Sequence, residues 1–286
     1  RLEEMSIQRH FSVLWAQTGP LGPLGPHEPF QALNLHLKES KSSYCEWVER
    51  AVEYISAGDI FQANLAHPLS FEFSGSPMEL YGRMRAHNPS PYGAVYFKPG
   101  MTLLSNSPEL LFSNTQGKII TRPIAGTRPR SEELVEDEGN RLELFLSDKE
   151  QAEHIMLVDL ERNDLGRVSQ MGSVEVEELM TCETYQNVFH IVSQVVGQLR
   201  DGLDSVDILK ALFPGGTITG APKIRSMEII DEFENYDRLY YTGSMGWFNG
   251  RGDSVLNILI RSLNISNVVP FKGHGRLYVG AGIVAD

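Results

Sequence analysis

Cysteine is scarce in this sequence, which has only Cys45 and Cys182 among its 286 residues. Two cysteines so far apart match neither a disulfide framework nor the closely spaced pairs of a zinc site. Because disulfide-rich domains belong to oxidising compartments, we interpret both residues as reduced thiols of a cytoplasmic protein.

Long apolar runs and excess positive charge are also lacking. No apolar run reaches the roughly 18 to 20 residues that cross a bilayer, and residues 1–10 lack the apolar centre of a signal peptide. Lys and Arg number 25 against 37 Asp and Glu, for a formal net charge of −12. Nucleic-acid binding needs a basic surface, so we expect neither a nucleic-acid nor a membrane partner. A small anion can still bind where a metal or a few basic side chains supply local positive charge.

The sequence divides into two parts after residue 43. Residues 1–43 show little periodicity and include a Pro- and Gly-rich run at 17–29, so we interpret them as a remnant of an N-terminal subdomain with its linker. Residues 44–286 carry regular hydrophobic patterns and form the main predicted domain. The chain lacks an initiator Met and ends in a strand-like segment at 280–286, which predicts truncation at both ends.

The main domain mixes helical and strand periodicity. Helical spacing predicts helices at 44–57, 77–85, 131–165, 205–213 and 222–233. Alternation predicts strands at 61–73, 93–97, 102–104, 110–113, 118–122, 174–179, 189–199, 240–248, 254–264 and 276–284. Because strands follow one another in runs and do not alternate strictly with helices, the fold class is predicted to be α+β.

Two carboxylates, Glu150 and Glu153, are three residues apart on a predicted helix, so both can lie on one face. One or two carboxylates suit magnesium, which usually keeps several waters. The alternative is a solvated acidic helix face. The apolar residues at 155–158 that follow favour a cleft, because they carry the helix into a core.

A second candidate is the turn FPGGTITGAPK at 213–223, which precedes a predicted helix. Exposed N–H groups of such a turn bind carboxylate or phosphate oxygens. The spacing is not that of a P-loop, and a plain structural turn is the alternative.

Three single residues are further candidates. His190 on a strand is either a core histidine or a group that orients or protonates a leaving hydroxyl. Arg261 within a predicted strand needs an anion, which is either a protein carboxylate or a substrate carboxylate. Glu109 is either structural or a general base.

Six motifs follow one another along the chain: SPE at 107–109, RPIAGT at 122–127, EHIMLVDLERNDLGR at 153–167, GGTITGAPKIRSMEII at 215–230, IR at 260–261 and GAGIVAD at 280–286. In this order they resemble the chorismate-utilising enzymes, which comprise the large subunits of anthranilate and aminodeoxychorismate synthases and the isochorismate and salicylate synthases. The resemblance covers about residues 44–286 and implies a large antiparallel β-sandwich wrapped by helices.

The resemblance implies magnesium-assisted displacement of the 4-hydroxyl of chorismate. Glu150 and Glu153 match magnesium positions, where the metal would bind one substrate carboxylate. Arg261 and the backbone N–H groups of Gly280 and Gly282 match the positions that bind the other carboxylate. Further glutamates complete the metal site in the family on a C-terminal helix that lies beyond residue 286, so the site in this chain is expected to be incomplete.

Other positions carry implied roles of their own. His190 matches the residue that assists departure of the hydroxyl, Glu109 a proton-transfer residue and Thr217 a substrate-site threonine. Lys223 would add positive charge near the substrate. No Cys–His pair resembles a glutaminase, so glutamine use implies a separate glutamine amidotransferase subunit.

Two positions distinguish the subfamilies. Gln62 stands where isochorismate and salicylate synthases have a lysine base, and Gln cannot activate water. Ala125 stands where many aminodeoxychorismate synthases have a nucleophilic lysine, so it favours anthranilate as the product. The motif GGTITGAPK favours 4-amino-4-deoxychorismate, the product of the p-aminobenzoate and folate route, which is our expectation. Anthranilate synthesis and a catalytically inactive scaffold are the alternatives.

Overall fold

The computed structural model describes residues 29–269 and 271–285. The predicted N-terminal remnant therefore lies largely outside the described residues. Its end at Gln31–Leu37 forms a strand that the sequence pattern did not predict, and this strand pairs antiparallel with the chain at 69–74.

Fourteen strands are present in the described part of the chain. In chain order they are β1 (Gln31–Leu37), β2 (Gln62–Ser74), β3 (Tyr92–Lys98), β4 (Met101–Ser107), β5 (Leu110–Thr115), β6 (Lys118–Arg122), β7 (Ile124–Pro129), β8 (Glu175–Thr184), β9 (Val188–Gln198), β10 (Gly220–Ala221), β11 (Gly246–Phe248), β12 (Ser254–Asn257), β13 (Ser262–Val269) and β14 (Lys272–Ile283). They form two antiparallel sheets, which we call sheet 1 and sheet 2.

Sheet 1 has the order β1-β2-β14-β13-β4-β3, and the short β10 also pairs with β2. Sheet 2 has the order β11-β12-β5-β6-β9-β7, and β8 pairs with the other edge of β9. The longest pairing joins β14 to β2, from Lys272 opposite Ser74 to Ile283 opposite Ala63.

Six α-helices accompany the sheets in the described residues: α1 (Lys41–Ser56), α2 (Pro77–His87), α3 (Leu134–Leu146), α4 (Asp148–Gly166), α5 (Ser205–Leu212) and α6 (Lys223–Phe233). The predicted α+β fold of antiparallel sheets with surrounding helices is confirmed. No helix in the described ranges is long and apolar enough to cross a membrane.

Helices α3 and α4 were predicted as one helix over 131–165, and this prediction is wrong. Ser147 separates them with extended backbone angles, φ −72° and ψ 110°. Its hydroxyl accepts a hydrogen bond from the Glu150 N–H at 3.3 Å and so caps α4. Serine favours this role because its side chain satisfies an N–H group that has no partner within the helix.

The segment predicted as one strand over 254–264 also divides. Ser254–Asn257 (β12) belongs to sheet 2 and Ser262–Val269 (β13) to sheet 1, so residues 258–261 cross from one sheet to the other. Arg261 has φ +49°, which a continuous strand does not allow. The predicted strand at 240–248 is likewise reduced to β11, and a turn occupies 239–242.

The helices bury their apolar faces against the two sheets. Val158 and Leu165 of α4 pack with Phe112 and Val195 of sheet 2. Helices α1 and α6 pack on β2 through a cluster that includes Trp47, Ala51, Ala63, Leu65, Ile229 and Phe233. These cores hold the two sheets as a frame for the polar residues that lie where the chain crosses between them.

Candidate functional site

Two crossings between the sheets lie side by side. Pro108 and Glu109 connect β4 of sheet 1 to β5 of sheet 2, next to the 258–261 crossing. Ser107 Oγ donates to the Ile258 carbonyl at 2.5 Å, and the Ile258 N–H donates to the Glu109 carbonyl at 3.0 Å. These bonds bring Glu109 and Arg261 to the same place, although they are far apart in sequence.

Glu109 is a buried carboxyl group with only 3% of its surface exposed. The Ile124 N–H donates to its Oε1 at 3.4 Å. Burial raises the pKa of Glu109 to about 7, and the nearby Glu161 adds to the rise. Thr217, the Ile124 N–H and the Arg261 charge oppose it. Near neutral pH this carboxyl therefore exists in both protonation states.

His190 lies on β9 and is equally buried. Its Nδ1 is 2.9 Å from Thr127 Oγ1 and 3.4 Å from the Gly126 carbonyl, which can only accept a hydrogen bond. Its Nε2 is 3.3 Å from Arg261 Nη2, which can only donate. The contacts fit a neutral ring with its proton on Nδ1. Burial and the Arg261 charge lower the pKa of His190 and favour the same neutral form.

The sequence left open whether Arg261 pairs with a protein carboxylate or a substrate carboxylate. Within the part of the chain that the structure describes, its guanidinium forms no ion pair with a carboxylate, and its hydrogen-bond partner is His190. Burial lowers the pKa of Arg261. The guanidinium has lost contact with water, and the negative charges around it do not fully replace that stabilisation. A buried cation in this state fits an anionic ligand.

Several buried polar atoms near these residues have no hydrogen-bond partner in the described part of the chain. They are Gln62 Oε1, Asn64 Oδ1 and Thr217 Oγ1. Thr217 faces Glu109 closely enough to lower its pKa, and the Thr217 carbonyl accepts from Asn64 Nδ2 at 3.4 Å. Buried polar atoms are normally satisfied, so this group suits a polar ligand.

Gly280 and Gly282 lie two residues apart on β14 and therefore on one face of sheet 1. A Cβ at Gly280 would lie 2.4 Å from Tyr241 Oη and 2.6 Å from Asn64 Oδ1. A Cβ at Gly282 would lie 2.6 Å from Gln62 Nε2. A side chain at either position would displace these polar groups. Asn64 and Tyr241 could not be predicted from the sequence, because single polar residues on strands and turns form no motif.

Glu150 and Glu153, the predicted magnesium ligands, lie at the edge of this group of polar residues, next to Gln62. Gln62 Nε2 donates to Glu153 Oε1 at 2.9 Å, whereas Arg128 Nη1 donates to Glu150 Oε1 at 3.0 Å. Burial raises the pKa of Glu153, and the Glu150 charge raises it further. Within residues 29–269 and 271–285, no cluster of three or more His, Cys, Asp or Glu side chains suits a metal. A cation at Glu150 and Glu153 would therefore share these carboxylates with Arg128 and Gln62.

Lys223 lies apart from the Arg261 group. Its ammonium forms an ion pair with Asp164 and donates to the Leu212 carbonyl at 3.0 Å, so it ties α6 to α4 and α5. The Gly-rich turn before Lys223 also has a partner within the protein, because the Gly216 N–H donates a hydrogen bond to the buried Glu161 carboxyl group. The substrate role of Lys223 stays a prediction, and in the structure its ammonium is already paired with Asp164.

The chain is similar in sequence and fold to known proteins. A family model for chorismate-binding enzymes matches residues 4–286. Aminodeoxychorismate synthase component 1 of Bacillus subtilis (strain 168) is 50% identical over 274 residues, 96% of this chain and 57% of that protein. An anthranilate synthase component 1 of Haloarcula marismortui is 48% identical over 247 residues, 86% of this chain and 50% of that protein.

A solved structure of similar fold is anthranilate synthase component I from Streptococcus pneumoniae TIGR4. It matches with a TM-score of 0.81 and 38% identity over 90% of this chain and 56% of that chain. The chain spans about half the length of these relatives. The match along almost the whole sequence, together with the fold, confirms the expected resemblance, and the chain belongs to the family of chorismate-binding enzymes.

Proposed function

We propose that this chain catalyses the amination of chorismate, in which ammonia from a glutamine amidotransferase partner displaces the 4-hydroxyl to give 4-amino-4-deoxychorismate. The observation that carries the proposal is the buried group of Glu109, His190 and Arg261, in which an unpaired cation adjoins two proton-transfer side chains. The 50% identity to a B. subtilis protein named for this activity supports the same product.

Arg261 supplies the main recognition of the anionic substrate. Its guanidinium offers several donors in a planar fork that matches a carboxylate, and the described residues provide no competing carboxylate in ion-pair contact. Asn64 Oδ1 has no hydrogen-bond partner among the described residues and can accept from a substrate hydroxyl, and Thr217 lies beside Glu109. Gly280 and Gly282 let the polar ends of Tyr241, Asn64 and Gln62 lie directly against β14, where they can contact the substrate.

Glu109 and His190 divide the proton transfers. Displacement of a hydroxyl by ammonia requires a proton on the departing oxygen and removal of a proton from the attacking nitrogen. A carboxyl group with a pKa of about 7 can perform either transfer near neutrality, which suits Glu109. His190 is neutral and fixed by Thr127, so we assign it to orienting the hydroxyl through a hydrogen bond.

Magnesium is part of the proposal because Glu150 and Glu153 offer two neighbouring carboxylates, a donor set that suits this ion when substrate and waters complete it. A bound ion would supply positive charge to a substrate carboxylate. We expect Glu153→Gln to abolish turnover and to weaken magnesium binding measured by calorimetry, with unchanged circular dichroism. Glu46→Gln on the exposed face of α1 is the control, and unchanged magnesium binding in Glu153→Gln would remove Glu153 from the metal site.

Anthranilate synthesis is the second candidate, and Ala125 favours it. This residue is buried on β7 and has no group that could bond covalently to the substrate, so ammonia must attack directly. The assay combines the protein with chorismate, magnesium and an ammonium salt. An amino product that keeps its enolpyruvyl group, and yields p-aminobenzoate only after a lyase is added, supports our proposal. Fluorescent anthranilate with released pyruvate supports the second candidate.

The third possibility, an inactive scaffold, makes a separate prediction. A scaffold would show no magnesium-dependent affinity for chorismate in calorimetry, whereas the proposed enzyme binds chorismate more tightly when magnesium is present.

A further inference from the structure

Glu161 is a second buried carboxyl group near the candidate site, and the proposed reaction gives it no role. It lies on α4 with only 4% of its surface exposed. Burial raises its pKa to about 7, as it does for Glu109. Glutamates are rarely buried to this degree, because burial penalises the charged form of the side chain. The position of Glu161 therefore calls for an explanation.

Two segments of the chain each contact both carboxyl groups. In the first segment, Thr121 Oγ1 donates to Glu161 Oε2 at 3.0 Å. Three residues later, the Ile124 N–H donates to Glu109 Oε1 at 3.4 Å. In the second segment, the turn at 216–217 donates a backbone N–H to Glu161 and places its threonine beside Glu109. The two carboxyl groups are thus neighbours, and we call them the carboxyl pair.

The members of the carboxyl pair repel each other when both are ionised. After the larger effect of burial, the negative charge of Glu161 contributes to the raised pKa of Glu109. Charges interact strongly in the protein interior, where little water screens them. Near neutral pH the pair therefore favours one proton and one negative charge over two negative charges.

Hydrogen bonds favour the negative charge on Glu161. This carboxyl accepts from Thr121 Oγ1 at 3.0 Å and from a backbone N–H. Glu109 accepts from the Ile124 N–H at the longer distance of 3.4 Å, with Thr217 beside it. Hydrogen bonds stabilise a carboxylate, and short bonds do so more than long ones.

The charged and titratable groups around the pair favour the same distribution. Lys223 attracts the negative charge of Glu161 more than the neighbouring Asp164 repels it. Arg261 attracts a negative charge on the other carboxyl group, but by less than Glu161 repels it. Tyr241 also faces that carboxyl group, and burial raises the pKa of Tyr241 to about 12, so its phenol stays neutral.

We propose that Glu161 is a positioning residue of the reaction, which carries the negative charge of the pair and so keeps the proton on Glu109 for transfer to the departing 4-hydroxyl. Glu109 gives its proton to the hydroxyl oxygen, the C–O bond breaks with its electron pair on oxygen, and water leaves. The Glu109 carboxylate then takes a proton from the nitrogen that has bonded to carbon, which restores the starting pair. This role rests on the proposed function and assigns the first proton transfer to Glu109.

The direct test is ¹³C NMR of the protein with labelled glutamate carboxyl groups, without chorismate or ammonium. Glu109→Gln and Glu161→Gln identify the two signals, and glutamine keeps the shape of each side chain. We expect the titration midpoint of Glu109 to move to lower pH in Glu161→Gln, because the charge that repels its carboxylate is gone. By the same coupling, the Glu161 midpoint should fall in Glu109→Gln.

Two more variants complete the titration. Thr121→Val removes the donor to Glu161 and nearly keeps the side-chain volume, so negative charge moves toward Glu109 and the Glu109 midpoint should again fall. Asp159→Asn, at an exposed position of α4, is the control and should leave both midpoints unchanged.

The kinetic test compares kcat/KM for chorismate, with an ammonium salt, between pH 5.5 and pH 8. Variant and wild type meet the same ammonia concentration at each pH, so their activity ratio depends on the protein groups alone. Because Glu109 must be protonated for the first step, the ratio of Glu161→Gln to wild type should be near 1 at pH 5.5 and about threefold lower at pH 8. A merely structural role would lower activity by the same factor at every pH.

The outcomes separate the two proposals. A Glu109 midpoint that stays the same in Glu161→Gln and Thr121→Val overturns the role of Glu161, and so does an activity ratio that is constant or rises with pH. A wild type that forms no aminated product overturns the proposed function, and the NMR midpoints then still decide whether Glu161 keeps the proton on Glu109.

Discussion

Replacing Glu109 with Gln should inactivate the protein and stabilise it at alkaline pH. Burial raises the carboxyl pKa from an ordinary 4.5 to about 7, so the folded state binds this proton more tightly than the unfolded state does. The wild type therefore loses stability relative to Glu109→Gln as pH rises from 4.5 through 7. At about 1.4 kcal/mol per pKa unit, the full difference is roughly 3 kcal/mol.

Urea unfolding of both proteins at pH 5 and pH 8 measures this effect. Between pH 5 and pH 8 the difference in unfolding free energy between wild type and Glu109→Gln should change by roughly 2.5 kcal/mol in favour of the variant. Glu161 is present in both proteins, so its contribution to the two unfolding free energies largely cancels in their difference. Activity should fall by about 10² to 10⁴, the usual contribution of a proton-transfer group. The exposed Glu46→Gln should change neither quantity. A pH-independent difference, or an active variant, would refute the reasoning.

Three further variants test other parts of the site. Arg261→Gln should weaken chorismate binding in calorimetry by about 10- to 100-fold, because a charge-assisted hydrogen bond contributes about 1.5–3 kcal/mol; unchanged affinity would exclude Arg261 from carboxylate recognition. Gly282→Ala should lower turnover by displacing Gln62, which a new Cβ would approach to 2.6 Å; full activity would show that the space is not needed. Lys223→Met should cost about 3–5 kcal/mol of unfolding free energy, because Asp164 is left buried and unpaired. Its KM for chorismate should stay the same, and a large rise in KM would restore the predicted substrate role of Lys223.

Local sequence patterns were sufficient for most individual elements. The helix predicted at 44–57 is α1 (Lys41–Ser56), and the strand predicted at 61–73 is β2 (Gln62–Ser74). Each has a clear hydrophobic period, and periodicity is a property of neighbouring residues. Glu109, His190 and Thr217 were likewise predicted from motifs; in the structure Thr217 lies beside Glu109, and His190 contacts Arg261.

Tertiary structure decided where the elements break. The helical pattern continues through Ser147, so the sequence alone does not show a break there. In the structure the Ser147 hydroxyl caps α4, and this cap divides the predicted long helix. Residues 258–261 continue an apolar strand pattern, yet they leave sheet 2 for sheet 1 because β12 and β13 find different partners. Pairing partners are distant in sequence, so no local pattern reveals such a crossing.

The sequence by itself determined the acidic charge, the order of the chorismate-family motifs and the identity of most candidate site residues. It did not determine which charges are compensated. Arg261 and Lys223 have the same formal charge, but folding gives Lys223 a carboxylate partner in Asp164 and, among the residues that the structure describes, leaves Arg261 beside His190 without one. Free energy in a buried site depends on distances between groups that only the tertiary fold brings together, so the fold decided which cation is available to a ligand.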